Sequence, residues 1–242
     1  MQCNILLLQI KMNTITVKSN GRELKLQIRD EADASVAAEI FSEHEYRIVD
    51  QIIRDASDPI LDIGAHAGFF SLYARTLNSS VRIVAVEPEP KNLEFLDMHI
   101  KENDVKNIEV VRAALSAKSG NRQLEISRDS HNHRLMVAGD SDSGKKFVSV
   151  YTYSLSDLLK KCIINNVSLL KMDIEGGEYE VIDAVDDTDL SKIGAIIMEY
   201  HQKSGDFREI ETRLRENKFA VQVFPSRFDK KMGFIFAKNK RK

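Results

Sequence analysis

Apolar and polar residues alternate over residues 14–28, with Ile15, Val17, Leu24, Leu26 and Ile28 apolar and Asn20-Gly21 at the centre. Two-residue alternation around Asn-Gly predicts a β-hairpin. Residues 31–56 read as helical, with Ile40, Ile48, Ile52 and Ile53 on a common face and Pro59 closing the region. From residue 60 the rhythm changes. Short apolar runs at 60–63, 81–86, 108–111, 169–172 and 193–198 are separated by segments of helical character at 68–77, 90–103, 155–162 and 179–185. Strands alternating with helices imply right-handed crossovers and a mostly parallel sheet covered on both faces. Residues 219–224 and 233–237 look like two adjacent strands, so an antiparallel pair is expected to close the sheet. The segment 116–150 breaks the pattern, with strand character only near 123–127 and 147–151. Its length suggests a flap over the ligand end of the sheet.

Composition changes this picture little. At 242 residues the chain suits one large domain, and its 43% apolar content is that of an ordinary globular protein. We expect a segment of a hairpin and helices, 1–58, packed on a main domain, 59–242. A net charge of −2 gives no basis for a nucleic-acid partner. The basic run 238–242 reads as a solvated tail. The apolar run at 5–8 is too short to span a membrane, so no membrane partner is expected. Cys3 and Cys162 match no metal or disulfide spacing, which favours the cytoplasm. Met12 is a second candidate start.

The chemistry begins at ILDIGAHAGFF, residues 60–70. Glycines after a strand point to a nucleotide-like ligand at the carboxyl end of an open sheet. The spacing here is D-x-G-x-x-x-G, whereas a dinucleotide turn is G-x-G-x-x-G. Gly64 allows a sharp turn, Gly68 a close approach of the next helix, and Asp62 could accept a bond from an amine. The second strand ends in VAVEPEP, which sets Glu87 roughly twenty residues on, where a carboxylate accepts ribose hydroxyls. An amino-acid group at the turn and a ribose at Glu87, with no pyrophosphate to cradle, describe S-adenosyl-L-methionine.

LDIGAHAGFFS, AVEPEP, VRAALS, LLKMDIEGGEYEVI and IIMEYH, in that order, resemble the FkbM family of S-adenosylmethionine-dependent methyltransferases. The resemblance covers about residues 40–201. Its most specific element is DIEGGE, with Gly177 where the family usually has alanine. Two further departures are His66, where Asn is common, and Arg112, where a small polar residue is common. The resemblance implies a Rossmann-like class I methyltransferase fold and methylation of a hydroxyl on a sugar or polyketide-like metabolite. It implies cofactor contacts from Asp62, Gly64, Ala65, His66, Gly68, Glu87, Pro88, Arg112, Ala114 and Asp173. Glu43 and His44 fall where the family's N-terminal helix often reaches the cofactor.

A hydroxyl acceptor needs a base or a metal to remove its proton. Asp173 and Glu175 follow the fourth strand, while Glu199 and His201 end the fifth. These four are the candidate catalytic residues, with Asp173 also nearest the cofactor. Glu178 could instead simply open the next helix. Glu199 could form a structural ion pair, and His201 could be exposed. His131 and His133 lie in the flap, where substrate contact or plain solvation is open. Asp173, Glu199 and His201 could hold a divalent ion, but no spacing demands it. The competing readings are an NAD-type oxidoreductase, a non-catalytic scaffold and a metal-dependent hydrolase. The first lacks the third glycine, the second leaves both sets of carboxylates without a purpose, and the third leaves Glu87 unexplained.

Overall fold

A computed structural model describes residues 13–127, 133–136, 146–226 and 231–241. The expectations for Cys3, the run at 5–8, Met12 and His131 lie outside these residues. The chain opens with the expected hairpin, β1 (Asn13–Ser19) and β2 (Arg22–Ile28). Ser19 pairs with Arg22, and Asn20 and Gly21 both have positive φ, at 46° and 78°. That backbone matches the strand twist.

The helical region expected at 31–56 divides into three pieces. Helix α1 (Glu31–Phe41) is capped by Asp30, whose carboxylate accepts the Asp33 N–H at 2.9 Å. A 3-10 turn (Glu45–Val49) and α2 (Asp50–Asp55) follow. The break falls at His44, which is left-handed at φ 57°. It turns Ile48 outward to 39% exposure, while Ile40 and Ile53 stay buried.

The central sheet then forms from β3 (Ile60–Ile63), α3 (Phe69–Leu77), β4 (Ile83–Val86), α4 (Pro90–Glu102) and β5 (Ile108–Val111). The flap segment is a second sheet, made of β6 (Ala114–Leu115), β7 (Gly120–Ile126), β8 (Arg134–Leu135) and β9 (Lys146–Tyr153). Helix α5 (Leu155–Lys161) leads back to β10 (Val167–Met172), α6 (Glu178–Ala184), α7 (Asp187–Lys192) and β11 (Ile193–His201). Helix α8 (Phe207–Glu216), β12 (Phe219–Pro225) and β13 (Met232–Asn239) complete the chain. Strand order is β12-β13-β11-β10-β3-β4-β5, with the last five parallel and β13 antiparallel to both its neighbours. Direction along the sheet reverses between β3 and β10, so a ligand crevice is expected beyond their carboxyl ends.

Two apolar layers hold the sheet. Leu61, Leu170 and Ile196 face α5, α6 and α8, while Ile60, Leu169 and Ile197 face α1 to α3. The basic run at 238–242 is not wholly a solvated tail. Asn239 is buried in β13 and donates from Nδ2 to the Ile193 carbonyl at 2.9 Å.

Buried His99 ties the N-terminal hairpin to α4. Its Nε2 accepts the Gln27 N–H at 2.8 Å, so Nδ1 carries the proton donated to the Ala67 carbonyl at 2.7 Å. Burial holds the ring below its ordinary pKa. The neutral form is the folded one, so this link stabilises fully above the ordinary histidine value of about 6.5 and is lost as pH falls below it. Replacing His99 by Leu strands the Gln27 N–H, which should cost about 1–3 kcal/mol at neutral pH. Urea unfolding should show the wild-type advantage shrinking between about pH 7 and pH 5. Carboxyls that titrate in both proteins cancel in that difference. An advantage that stays constant with pH would contradict the neutral-imidazole link.

Candidate active site

The turn after β3 is shaped by close contacts. Gly64, at φ 72°, and Ala65 both donate to the Val86 carbonyl at 3.0 Å. A Cβ on Gly64 would stand 1.8 Å from the Asp173 carbonyl oxygen. The glycine is therefore required by the neighbouring strand's main chain rather than by ligand space. Gly68, at φ 86°, precedes α3, and a Cβ there would meet Leu96 of α4 at 2.3 Å. It lets the helices close and does not touch the cavity.

Asp62 is wholly buried beneath this turn. It accepts the Ser71 hydroxyl at 2.7 Å and lies 3.4 Å from the Lys171 ammonium. The expected contact with a ligand amine is corrected: this carboxylate is engaged from below and out of reach. Lys171, unremarked in the sequence, does reach the cavity wall and donates to the Gly64 carbonyl at 2.8 Å. The signal for it was one lysine inside the apolar run LLKM.

At the tip of β4, Glu87 is 4% exposed. Its Oε2 accepts the His66 N–H at 2.9 Å, and Oε1 accepts the Glu89 N–H at 2.9 Å and the Asn92 amide at 3.2 Å. Burial nevertheless pushes its carboxyl up to about 7. A carboxylate has about four acceptor positions, so Oε2 retains room for a donor from outside. The His66 ring sits beside the Arg29–Asp33 pair, 2.9 Å from Arg29 and 3.2 Å from Asp33.

After β10 the chain turns through Glu175 and Gly176, both of positive φ. Glu178, fully buried at the start of α6, accepts the Ile174 N–H at 2.9 Å and so braces the Asp173 turn. His201 does not open onto the cavity. Its Nε2 lies 3.5 Å from Glu175 and its Nδ1 3.8 Å from Glu178. Burial alone would discharge the ring, but Glu178, Glu175 and Glu199 raise it to about 9. At neutral pH His201 is a cation in the floor, so its expected role as a free base is corrected.

A cavity of about 1040 Å³ lies over these strand ends. Ligand pockets commonly measure roughly 300–1,000 Å³, so there is room for a cofactor and a small acceptor together. Gly64, Ala65, His66, Glu87 and Pro88 line one end. Ala114 and the flap residues Arg122, Leu124 and His133 form another wall. Asp173, Glu175 and Glu199 meet there, joined by Glu43 and by two residues not anticipated, Glu45 and Tyr46. His44 points instead into a small surface cleft with Lys18 and Arg47, because the left-handed break reverses its direction. Arg112 is also corrected: it is largely exposed, pairs with Asp97 at 2.6 Å and lies off the cavity wall. Among the described residues, no group of three or more His, Cys, Asp or Glu is placed to hold a metal, and no helix is long and apolar enough to cross a membrane.

This donor set suits S-adenosylmethionine. A desolvated carboxylate with room for a further donor, Glu87, borders the cavity together with the narrow Gly64–Asp173 seam.

Comparison with known proteins agrees. Residues 62–221 match the model of the methyltransferase FkbM domain. Methyltransferase sdnD of Sordaria araneosa is 26% identical, over 76% of this chain and 80% of its own. The 31-O-demethyl-FK506 methyltransferase FkbM of Streptomyces tacrolimicus is 25% identical, over 68% of this chain and 73% of its own. The fold resembles the solved methyltransferase FkbM of Methylobacillus flagellatus, with a TM-score of 0.51 at 14% identity over 75% of this chain and 43% of that one. It likewise resembles the fibrillarin pre-rRNA processing protein of Methanococcus jannaschii, with a TM-score of 0.53 at 15% identity over 94% and 83%. The architecture is the class I methyltransferase fold, and with the family's domain matched over more than half of this chain, the chain belongs to the FkbM family of methyltransferases.

Proposed function

We propose that the protein transfers a methyl group from S-adenosylmethionine to a hydroxyl of a small molecule such as a sugar or polyketide-like metabolite. The observation that carries this reading is one cavity holding both Glu87 and the Asp173–Glu199 pair. The name of the Streptomyces relative places that enzyme's methyl on an oxygen, which supports the same choice here. Family membership disfavours the oxidoreductase reading, as does the missing third glycine.

When bound, the cofactor supplies an electrophilic methyl on its sulfonium. The protein's task is then alignment and proton removal. Glu87 holds the ribose through Oε2. Gly64, Ala65 and Asp173 border the methionyl end. Burial and then the neighbouring Asp173 push the Glu199 carboxyl up to about 9, so the ionised form that accepts a proton is the minor one at neutral pH and grows as pH rises toward that value. The acceptor hydroxyl passes its proton to a Glu199 carboxylate oxygen, and Asp173 orients that hydroxyl. Glu175 faces the same space but is paired from below with His201. His201 acts through Glu175 and Glu178 and is a positioning residue.

Two outcomes test these roles. A ribose donates to the ionised form of Glu87, so S-adenosylhomocysteine affinity should weaken as pH falls through about 7. Glu87→Gln should lower that affinity roughly tenfold or more, about 1.4 kcal/mol, and abolish its pH dependence. Calorimetry showing equal binding by both proteins would exclude the assignment. With a surrogate hydroxyl acceptor, Glu199→Gln should cut the single-turnover rate by roughly 10²–10⁴-fold while S-adenosylhomocysteine affinity stays within a few-fold. An unchanged rate would remove Glu199 as the base.

A further inference from the structure

The 3-10 turn before α2 brings to the cavity one polar group that the fold itself does not use. Tyr46 is 6% exposed, and its ring is pinned edge-on by Phe70, with centroids 4.9 Å apart, and by Phe234 at 5.7 Å. All three residues border the cavity. Among the described residues no hydrogen bond engages the Tyr46 hydroxyl. A buried phenol usually finds a partner, because desolvating the hydroxyl without replacing its bond is unfavourable. Tyr73 of α3 follows that rule and gives its hydroxyl to Asp50. Tyr46 instead holds a donor in one place with nothing to receive it.

Its surroundings are those of the reacting group. Burial, then Asp173 and Glu199, hold the phenol well above its ordinary value, so at neutral pH it keeps its proton. Both carboxylates border the same cavity. A hydroxyl oxygen has one proton and two lone pairs. In the reaction assigned to this cavity Glu199 takes the proton and one lone pair attacks the methyl. The second lone pair is free to swing about the carbon–oxygen bond unless a donor holds it, and with it swings the attacking pair. An ionised carboxylate only accepts, so neither Asp173 nor Glu199 in that form fills the role. The other donors of the cavity wall are occupied or remote. Lys171 is held by Asp62 and the Gly64 carbonyl, Arg122 by Glu180 and the Met136 carbonyl, and Arg134 by Glu125. Lys203 is exposed at the rim.

We propose that the Tyr46 hydroxyl donates to the second lone pair of the acceptor oxygen, aiming the first at the methyl and selecting oxygen over nitrogen. The oxygen–carbon bond forms as the carbon–sulfur pair returns to sulfur, the acceptor's proton passes to Glu199, and Tyr46 keeps its own proton throughout. An uncharged amine has a single lone pair. Using it on the methyl leaves none for Tyr46, so a nitrogen acceptor strands the buried phenol, the kind of mismatch by which polar sites reject analogues. The inference rests on the hydroxyl-methyltransferase reading and deepens it by assigning the group that chooses the acceptor atom.

Calorimetry with two nitrogen-for-sulfur analogues of S-adenosylhomocysteine tests this without an acceptor. In one the nitrogen carries a 2-hydroxyethyl group, in the other a propyl group. They share charge, length and shape and differ in one hydroxyl, set just beyond the position of the transferred methyl. The wild type is expected to prefer the hydroxyethyl analogue by roughly tenfold or more. Tyr46→Phe keeps both ring contacts and should cut that preference by roughly fivefold or more, with S-adenosylhomocysteine affinity held within about threefold. Because the hydroxyl makes no bond in the empty protein, the variant's melting temperature should not fall, as it would if the hydroxyl served the fold. A wild type without the preference, or a variant that keeps it, overturns the assignment. A variant that loses S-adenosylhomocysteine affinity in step, or melts lower, overturns it too, by placing the phenol on the cofactor or in the fold. Failure of the wild type to bind S-adenosylhomocysteine at all overturns the functional reading, and this inference with it.

Discussion

The Lys171 ammonium, buried in the seam between β3 and β10, is the interaction on which the site depends. The main chains at Gly64 and Asp173 approach so closely that only glycine fits at 64, and Asp62 lies buried directly beneath. One cation answers both demands, pairing with Asp62 and bonding the Gly64 carbonyl. Burying such a pair gains little over an apolar alternative, but removing one member strands the other charge at a cost of about 3–5 kcal/mol. With the turn pinned, the His66 N–H is aimed at Glu87. The Glu87 end of the cavity thus inherits its geometry from a charge two strands away.

The opposite end uses charge differently. His201 lies beneath the floor between Glu175 and Glu178, and Glu178 also braces the turn that carries Asp173. Neutralisation is therefore supplied from below, while Glu45 and Glu199 face the cavity with their carboxyls raised by burial. Such an arrangement stabilises the empty fold poorly, the trade between stability and activity common at functional sites.

Much of this was legible in the chain. Asn20-Gly21 between alternating residues specified the hairpin, and apolar runs alternating with helical segments specified the parallel sheet. The D-x-G-x-x-x-G turn with Glu87 pointed to the cofactor. What escaped depended on tertiary contacts. Nothing local marks His44 as left-handed, yet beyond that one residue Tyr46 turns inward, Glu45 reaches the exposed rim of the cavity and His44 faces away. Asp62 resembled a ligand-facing tip because its partner, Lys171, lies 109 positions on (171 − 62). Arg112 resembled a cofactor contact until its pairing with Asp97 placed it outside. Helices α7 and α8 were missed because their sequences are mostly polar, α8 being anchored by Ile210 and Leu214 alone among its buried residues.

The account's central claim is that the cofactor lies across the β3–β10 seam with its ribose on Glu87. A crystal structure with S-adenosylhomocysteine bound tests it most directly. The account predicts ribose hydroxyls within hydrogen-bond distance of Glu87 Oε2 and the homocysteine moiety between the Gly64 turn and Asp173. A ligand seated elsewhere in the cavity, with Glu87 contacting only His66, Glu89 and Asn92, would contradict it.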